Sequence, residues 1–422
     1  MYQKTTLPNG LRVLSVPMPH LRSVSIGFFI AVGSRYESAA IGGASHFIEH
    51  MLFKGTEQRP SAQQIAAAIE GIGGAFNAST GHELTVYWAK TATPHFPIAF
   101  DVLTDMLRRA KFDHAEIEKE RTVIIEEIKS TADNPDDLAH QLSDELMWPA
   151  HPLGRDIAGT KESVAALRRE QLLDYLALHY TPGAIVIAAA GQIEQPQLVA
   201  LVERTLGDWR SAAADGAYEP APPPQAAKRL LLHYKEVEQA HLVLTVPGLH
   251  RNHPDRYTLR VLNALLGQGM SSRLFNEIRE KRGLAYNVYS FADSTSDSGD
   301  VGIYAGVDPH KTVEALRAAL AEWKRLQDEP VPAEEVRQAK EHIKGRTLLR
   351  MEDSYANASW FGVQEVLKDE ALSVDEIVQQ IEAVTPEEIQ SLAQQLFLDP
   401  LLNLAVVGPL HDEDALQAAL AI

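Results

Sequence analysis

The sequence predicts an α+β fold of two similar domains, each a mostly antiparallel sheet covered by helices. Three features predict it: the length, a proline-rich break near the middle, and the same order of strand-like and helical stretches on either side of that break. At 422 residues the chain is about three times a common single-domain length, so two domains or one duplicated unit is expected. The break, SAAADGAYEPAPPPQAAK at 211–228, concentrates prolines and small residues that sustain neither a helix nor a central strand. It is expected to be a linker between a first domain at 1–210 and a second at 229–422.

The first half opens with LRVLSV and VSIGFFIAV, apolar runs rich in β-branched residues, passes through long helical stretches and ends on the strand-like AIVIAAAG. The second half repeats this order. It opens with RLLLHYK and HLVLTVPGL, continues through helical patterns at 312–326 and 333–349, and ends on LLNLAVVG.

Composition removes several function classes. There is no cysteine, hence no disulfide framework, no thiolate metal site and no cysteine nucleophile, and any metal must sit on His and carboxylates. The formal charge of -18 is the opposite of the basic footprint that phosphate neutralisation requires, so nucleic acid is not an expected partner. No apolar run reaches the roughly 18 to 20 residues of a membrane span, and the N-terminus lacks the layout of a secretory signal. A cytoplasmic location is the expectation.

The sharpest chemical signal is His46-Phe47-Ile48-Glu49-His50. It follows Gly42, Gly43, Ala44 and Ser45, a loop with Ser45 as the expected N-cap, and runs into Met51, Leu52 and Phe53. On a helix, positions i and i+4 share a face, so His46 and His50 point together at one ion while Glu49 projects beside them. Zinc fits this set. A catalytic zinc takes three protein ligands and leaves a position for water, and a neighbouring carboxylate can act as the base.

The third ligand is expected from HAEIEKERTVIIEEIK at 114–129. At about 100° per residue, Ile117, Ile124 and Ile128 form the buried stripe of a helix. Glu126 falls almost opposite, in solvent. Glu120 and Glu127, one heptad apart, line the flank of the stripe, which makes Glu127 the candidate ligand and Glu120 a candidate group that orients a ligand or polarises the water.

The inverted motif H-x-x-E-H, followed after 76 residues by Glu127 in the setting EKERTVIIEE, resembles the pitrilysin and insulinase type of zinc peptidase, the inverzincins, in its mitochondrial processing peptidase branch. LPNGLRVLSV, GSRYES, GGAFNASTGHELTVYWAK, HPLGRDIAGT and HYTPGAIVIAAAG resemble that branch as well, and GQGMSS at 267–272 resembles its glycine-rich segment. In the second half, SSRLFNEIREKRGLAYNVYS resembles the family signature in which Arg279 and Tyr286 reach the substrate carbonyl at the zinc. The residues alone would make Tyr286 a buried strand aromatic and Arg279 a surface cation. The resemblance also implies that Gly74, Ala75, Phe76 and Asn77 belong to an edge strand to which an extended substrate adds.

The expected function is therefore zinc-dependent hydrolysis of peptides or unfolded polypeptide, with Glu49 as general base and Glu120, Arg279 and Tyr286 assisting. The resemblance further implies that two such domains make half of a chamber and that the chain pairs with itself or with a related subunit. It leaves open whether Arg279 and Tyr286 serve their own chain or its partner. The alternative is a peptide-binding or scaffold subunit that does not cut, as in family members that have lost the motif.

Overall fold

Valine, isoleucine and phenylalanine in alternation give the first half its strands, since side chains at successive strand positions point to opposite faces. The computed structural model describes residues 2–210, 217–368 and 371–422, so the 211–216 part of the expected linker lies outside the described residues. Residues 217–228 carry no helix or strand.

The first sheet contains β1 (Gln3–Thr6), β2 (Arg12–Pro17), β3 (Ser23–Ile30), β4 (Ala75–Thr80), β5 (Thr85–Ala92) and β6 (Ile185–Gly191), in the order β1-β2-β6-β3-β5-β4. Only β2 and β6 run parallel. The adjacent Phe28 and Phe29 show why the end of β3, from 26 to 30, is apolar without a break. Phe28 enters one core with Val13, Ile26, Phe100 and Leu172, whereas Phe29 enters a second with Leu14, Val186, Ala358 and Phe361. A strand covered on both faces reads as a continuous apolar run.

The second sheet contains β7 (Arg229–Tyr234), β8 (Ala240–Pro247), β9 (Ala285–Ser294), β10 (Gly299–Val307) and β11 (Asn403–Gly408), in the order β7-β11-β8-β10-β9. Here β7 and β11 are the parallel pair. Without β1, the first sheet has the same order and the same directions, β2-β6-β3-β5-β4, so the repeated element order in the sequence corresponds to a repeated topology. Helices Arg256–Gly267, Thr312–Asp328 and Pro386–Leu396 pack together on this unit, with Trp323 stacked on Phe397 at 4.4 Å between ring centroids.

A single cut within 211–228 does not describe the packing. One compact unit takes the described residues of Met1–Ile128, Asp156–Glu219 and Leu348–Ser373; the other takes those of Lys129–Arg155, Pro220–Thr347 and Val374–Ile422. Helix Ser354–Lys368, from the second half of the sequence, covers the second face of the first sheet through Ala358, Phe361 and Val366. Helix Pro135–Met147, from the first half, covers the second sheet: its Leu138 and Ala139 pack with Val243, Tyr304 and Val407. Each sheet has two apolar faces to remove from water, and the local helices cover one. At Gly362 the helix lies so close to the sheet that an added Cβ would stand 2.3 Å from the Phe29 ring, which explains a glycine inside a helix where alanine would ordinarily be better.

Candidate metal centre

The motif helix spans Ala44–Leu52, with Phe47, Ile48, Met51 and Leu52 buried on one side and His46, Glu49 and His50 half-buried on the other. Its start differs from the expectation. The N-cap is Gly43, in the left-handed region at φ 91, and the Ser45 hydroxyl donates to Tyr175 Oη at 2.9 Å instead of capping. The cap comes from Glu37, a buried residue whose carboxylate accepts from the backbone N–H of Gly43 at 2.7 Å and of Ser45 at 2.6 Å. An anion suits the positive end of a helix and answers donors that would otherwise be unpaired. Replacing Glu37 with alanine strands two buried N–H groups, so a loss of roughly 3 kcal/mol is expected in denaturant unfolding of that unit.

Helix His114–Asp133 brings Glu120 and Glu127 to the motif helix. Glu127 Oε2 stands 3.9 Å from His46 Nε2 and 3.5 Å from His50 Nε2, and the imidazole rings meet edge to face at 71°. One donor atom from each of the three residues lies within 4.8 Å of the other two, and among the described residues this is the one such grouping of three or more His, Asp or Glu. The spacing fits a cation better than direct hydrogen bonds. Ligands about 2.1 Å from a tetrahedral zinc are separated by about 3.4 Å, close to what the side chains already hold. Burial, with the neighbouring His50, lowers the His46 pKa to about 4, so near neutral pH its ring is uncharged and keeps a lone pair for a metal.

Glu120 touches an imidazole, the position an orienting group would take. Its Oε2 stands 3.1 Å from His50 Nδ1 and its Oε1 accepts from Lys54 Nζ at 2.8 Å. Burial alone would raise the Glu120 carboxyl; the bonds from His50 and Lys54 outweigh it and hold the group below its usual range. An ionised Glu120 fixes the proton of His50 on Nδ1, which turns the Nε2 lone pair toward Glu127 and His46.

Glu49 faces the same side. Thr80 Oγ1 donates to its Oε2 at 2.5 Å. Burial pushes the Glu49 carboxyl upward, Thr80 and His50 oppose that rise, and the Glu127 charge adds to it. A carboxylate raised in this way and set next to a three-donor site is suited to accept a proton.

The remaining candidates lie apart from this cluster in the chain. Ala75, Phe76 and Asn77 are in β4, an edge strand of its sheet; Phe76 packs on Phe53 at 5.4 Å between ring centroids. Gly74 precedes the strand and serves packing: a Cβ there would stand 2.9 Å from the methyl groups of Ile69 and Thr91. Arg279 and Tyr286 belong to the other unit, where the guanidinium lies 4.7 Å from the Tyr286 ring and 4.8 Å from the Phe275 ring. Arg279 is in a π-helical segment at Phe275–Lys281, and Tyr286, on edge strand β9, is 75% exposed, so it is not the buried strand aromatic that its residue type suggests. Sequence reasoning missed Glu37, Lys54 and Thr80. Glu37 and Thr80 lie inside stretches that carry the resemblance, GSRYES and NASTGHELT, but no spacing rule links them to the motif.

Residues 12–161 match the family model described as insulinase, peptidase family M16, and residues 166–343 match the one described as peptidase M16 inactive domain. An uncharacterized zinc protease of Streptomyces coelicolor is 38% identical over 98% of this chain and 91% of its own length. The chain belongs to peptidase family M16. A second M16 relative, an uncharacterized zinc protease of Bacillus subtilis, is 39% identical over 97% of this chain and 98% of its own. The fold is that of a solved protease from Helicobacter pylori, with a TM-score of 0.92 at 22% identity over 97% of this chain and 99% of that one. A chain of complex III2 from Candida albicans shares it at a TM-score of 0.85 and 21% identity, covering 100% of both chains. The M16 inactive-domain match has a counterpart in the second unit. Helix Arg256–Gly267 follows β8 as the motif helix follows β3, but its Arg260 donates to Thr347 at 3.2 Å, and no metal-binding grouping lies there among the described residues.

Proposed function

We propose that this M16 protein is a zinc-dependent endopeptidase acting on peptides or unfolded polypeptide segments. The observation that carries the reading is the convergence of His46, His50 and Glu127 donors within 4.8 Å, with Glu49 on the same helical turn as His50. Homologues named zinc proteases, matching nearly the whole chain, support it.

His46, His50 and Glu127 would hold the ion. What bound zinc supplies is Lewis acidity, which polarises a carbonyl and brings a water's pKa toward neutrality. Glu49 takes one proton from the attacking water as the new C–O bond forms at the carbonyl carbon, and then passes it to the nitrogen of the leaving amine as the peptide C–N bond breaks. Glu120 keeps the His50 ring oriented. Arg279 and Tyr286 donate to the carbonyl oxygen as negative charge develops on it. The backbone of β4, including Ala75 to Asn77, offers its free edge to an extended substrate, which favours unfolded segments over folded domains.

Chelation tests the reading directly. Purified protein should contain one zinc per chain; stripping it should abolish cleavage of a quenched fluorescent peptide, and added zinc should restore it. A protein that neither holds nor takes up zinc would instead be the non-cutting scaffold, the reading to which the inactive-domain match points. We also propose pairing of chains, of like or related sequence, to complete a chamber. Sedimentation at twice the 46.5 kDa chain mass is the expected result for a homodimer, and an active monomer would overturn the proposal. Among the described residues, no helix is long and apolar enough to cross a membrane.

A further inference from the structure

Thr80 is the last residue of β4, and the strand alternates: Ala75, Asn77 and Ser79 are exposed, while Phe76, Ala78 and Thr80 turn inward. Its hydroxyl has one proton, and that proton goes to Glu49 Oε2. A carboxylate on a half-buried glutamate has rotamer freedom that a single strong hydrogen bond removes. We propose that Thr80 is a positioning residue for the reaction, holding Glu49 by one oxygen so that the other faces the attacking water; the proposal rests on the peptidase reading above.

Both ends of the Thr80–Glu49 bond are tied to one loop. After Thr80 the chain turns back into β5, with Gly81 N–H donating to Leu84 O at 2.8 Å. Several bonds fasten that turn to residues 34 and 35, among them a 2.9 Å contact between Ser34 Oγ and His82 Nδ1. Ser34 N–H donates to Gly81 O at 3.1 Å, Arg35 N–H to His82 O at 2.9 Å, and the buried Arg35 guanidinium pairs with Glu83 at 2.6 Å. Two residues on, Glu37 caps the helix that carries Glu49. The turn at one end of the bond and the helix at the other are therefore referenced to the same short segment, which leaves little slack for the carboxylate to swing. Thr80 also ends the strand whose outer edge is free for a substrate backbone, so strand addition and base orientation share one element.

The test compares zinc-loaded wild type, Thr80→Val and Thr80→Ser on a quenched fluorescent peptide, with zinc content and melting temperature measured on each. Valine keeps the shape and removes the donor. For Thr80→Val, kcat should fall about 10- to 100-fold, with KM changed by less than about threefold and zinc still bound at one per chain. Thr80→Ser, which retains the hydroxyl, should recover kcat to within about threefold of wild type. Crystal structures supply a readout apart from activity: the Glu49 carboxylate should be held in one rotamer in wild type and Thr80→Ser, and spread over several in Thr80→Val. An active wild type with equally active Thr80→Val would overturn the assignment and leave the peptidase reading standing. So would a Thr80→Ser variant as impaired as Thr80→Val with a lowered melting temperature, because that pattern means the threonine only holds the hairpin. A zinc-loaded wild type without activity would instead sink the peptidase reading itself.

Discussion

Glu49→Gln is expected to keep one zinc per chain and to lose peptide hydrolysis by about 10²- to 10⁴-fold, the range supplied by a positioned general base. Glutamine has the same shape, and its amide oxygen can still accept from Thr80 where Glu49 Oε2 does at 2.5 Å, so the variant differs in its inability to take a proton. At that range the barrier rises by about 3 to 5 kcal/mol, carried by kcat rather than by substrate binding. Stability should move the other way. The Glu49 carboxyl is raised by burial, and a carboxylate with a raised pKa costs the fold stability once the pH exceeds its unfolded value, because the unfolded chain then ionises more readily than the native one. Metal-free Glu49→Gln should therefore melt no lower than metal-free wild type near neutral pH. Cleavage by the variant at the wild-type rate would remove Glu49 from the chemistry.

Glu127→Gln should lose the metal itself. Glu127 is the one carboxylate in the donor set, and its replacement leaves two imidazoles and an amide facing a divalent cation. Removing an orienting partner of a ligand weakens a site by about 10- to 100-fold, and removing the ligand should exceed that. The side chain is 47% exposed, so the metal-free variant should melt like metal-free wild type. The difference appears on adding zinc. Wild type should gain about 2.7 kcal/mol when free zinc is a hundredfold above its dissociation constant, whereas Glu127→Gln should gain little. Glu126→Gln is the internal control: it removes the same charge one residue away, on an exposed position of the same helix. Equal zinc loss in both variants would mean that charge near the site, and not coordination by Glu127, governs binding.

Helical periodicity made part of this site readable before any coordinates. Offsets of three and four residues place His46, Glu49 and His50 on one side of a single turn, and the isoleucine stripe at 117, 124 and 128 separates Glu127 from Glu126. The apolar runs marked the strands to within a residue or two, as with LRVLSV against β2 at Arg12–Pro17. The cap at Glu37 was not readable, because a side chain six residues before Gly43 reaches it only through the fold of the intervening loop. Thr80 was hidden in the same way. It lies 31 residues after Glu49, and only the pairing of β4 in the sheet and its contact with the motif helix bring the hydroxyl to the carboxylate.

Local pattern decided which segments are helices and strands, and it put two imidazoles and a carboxylate on one turn, because those properties depend on neighbours a few positions away. Tertiary structure decided which sheet each amphipathic helix covers: Ser354–Lys368 packs with strands from the other half of the chain, and Pro135–Met147 does the converse. An apolar stripe states that a face must leave water but carries no address for the surface that receives it. The same holds at the candidate metal centre, where the identity of the donors is written in the residues, while their 3.5 Å and 3.9 Å approaches exist only once two distant helices are docked.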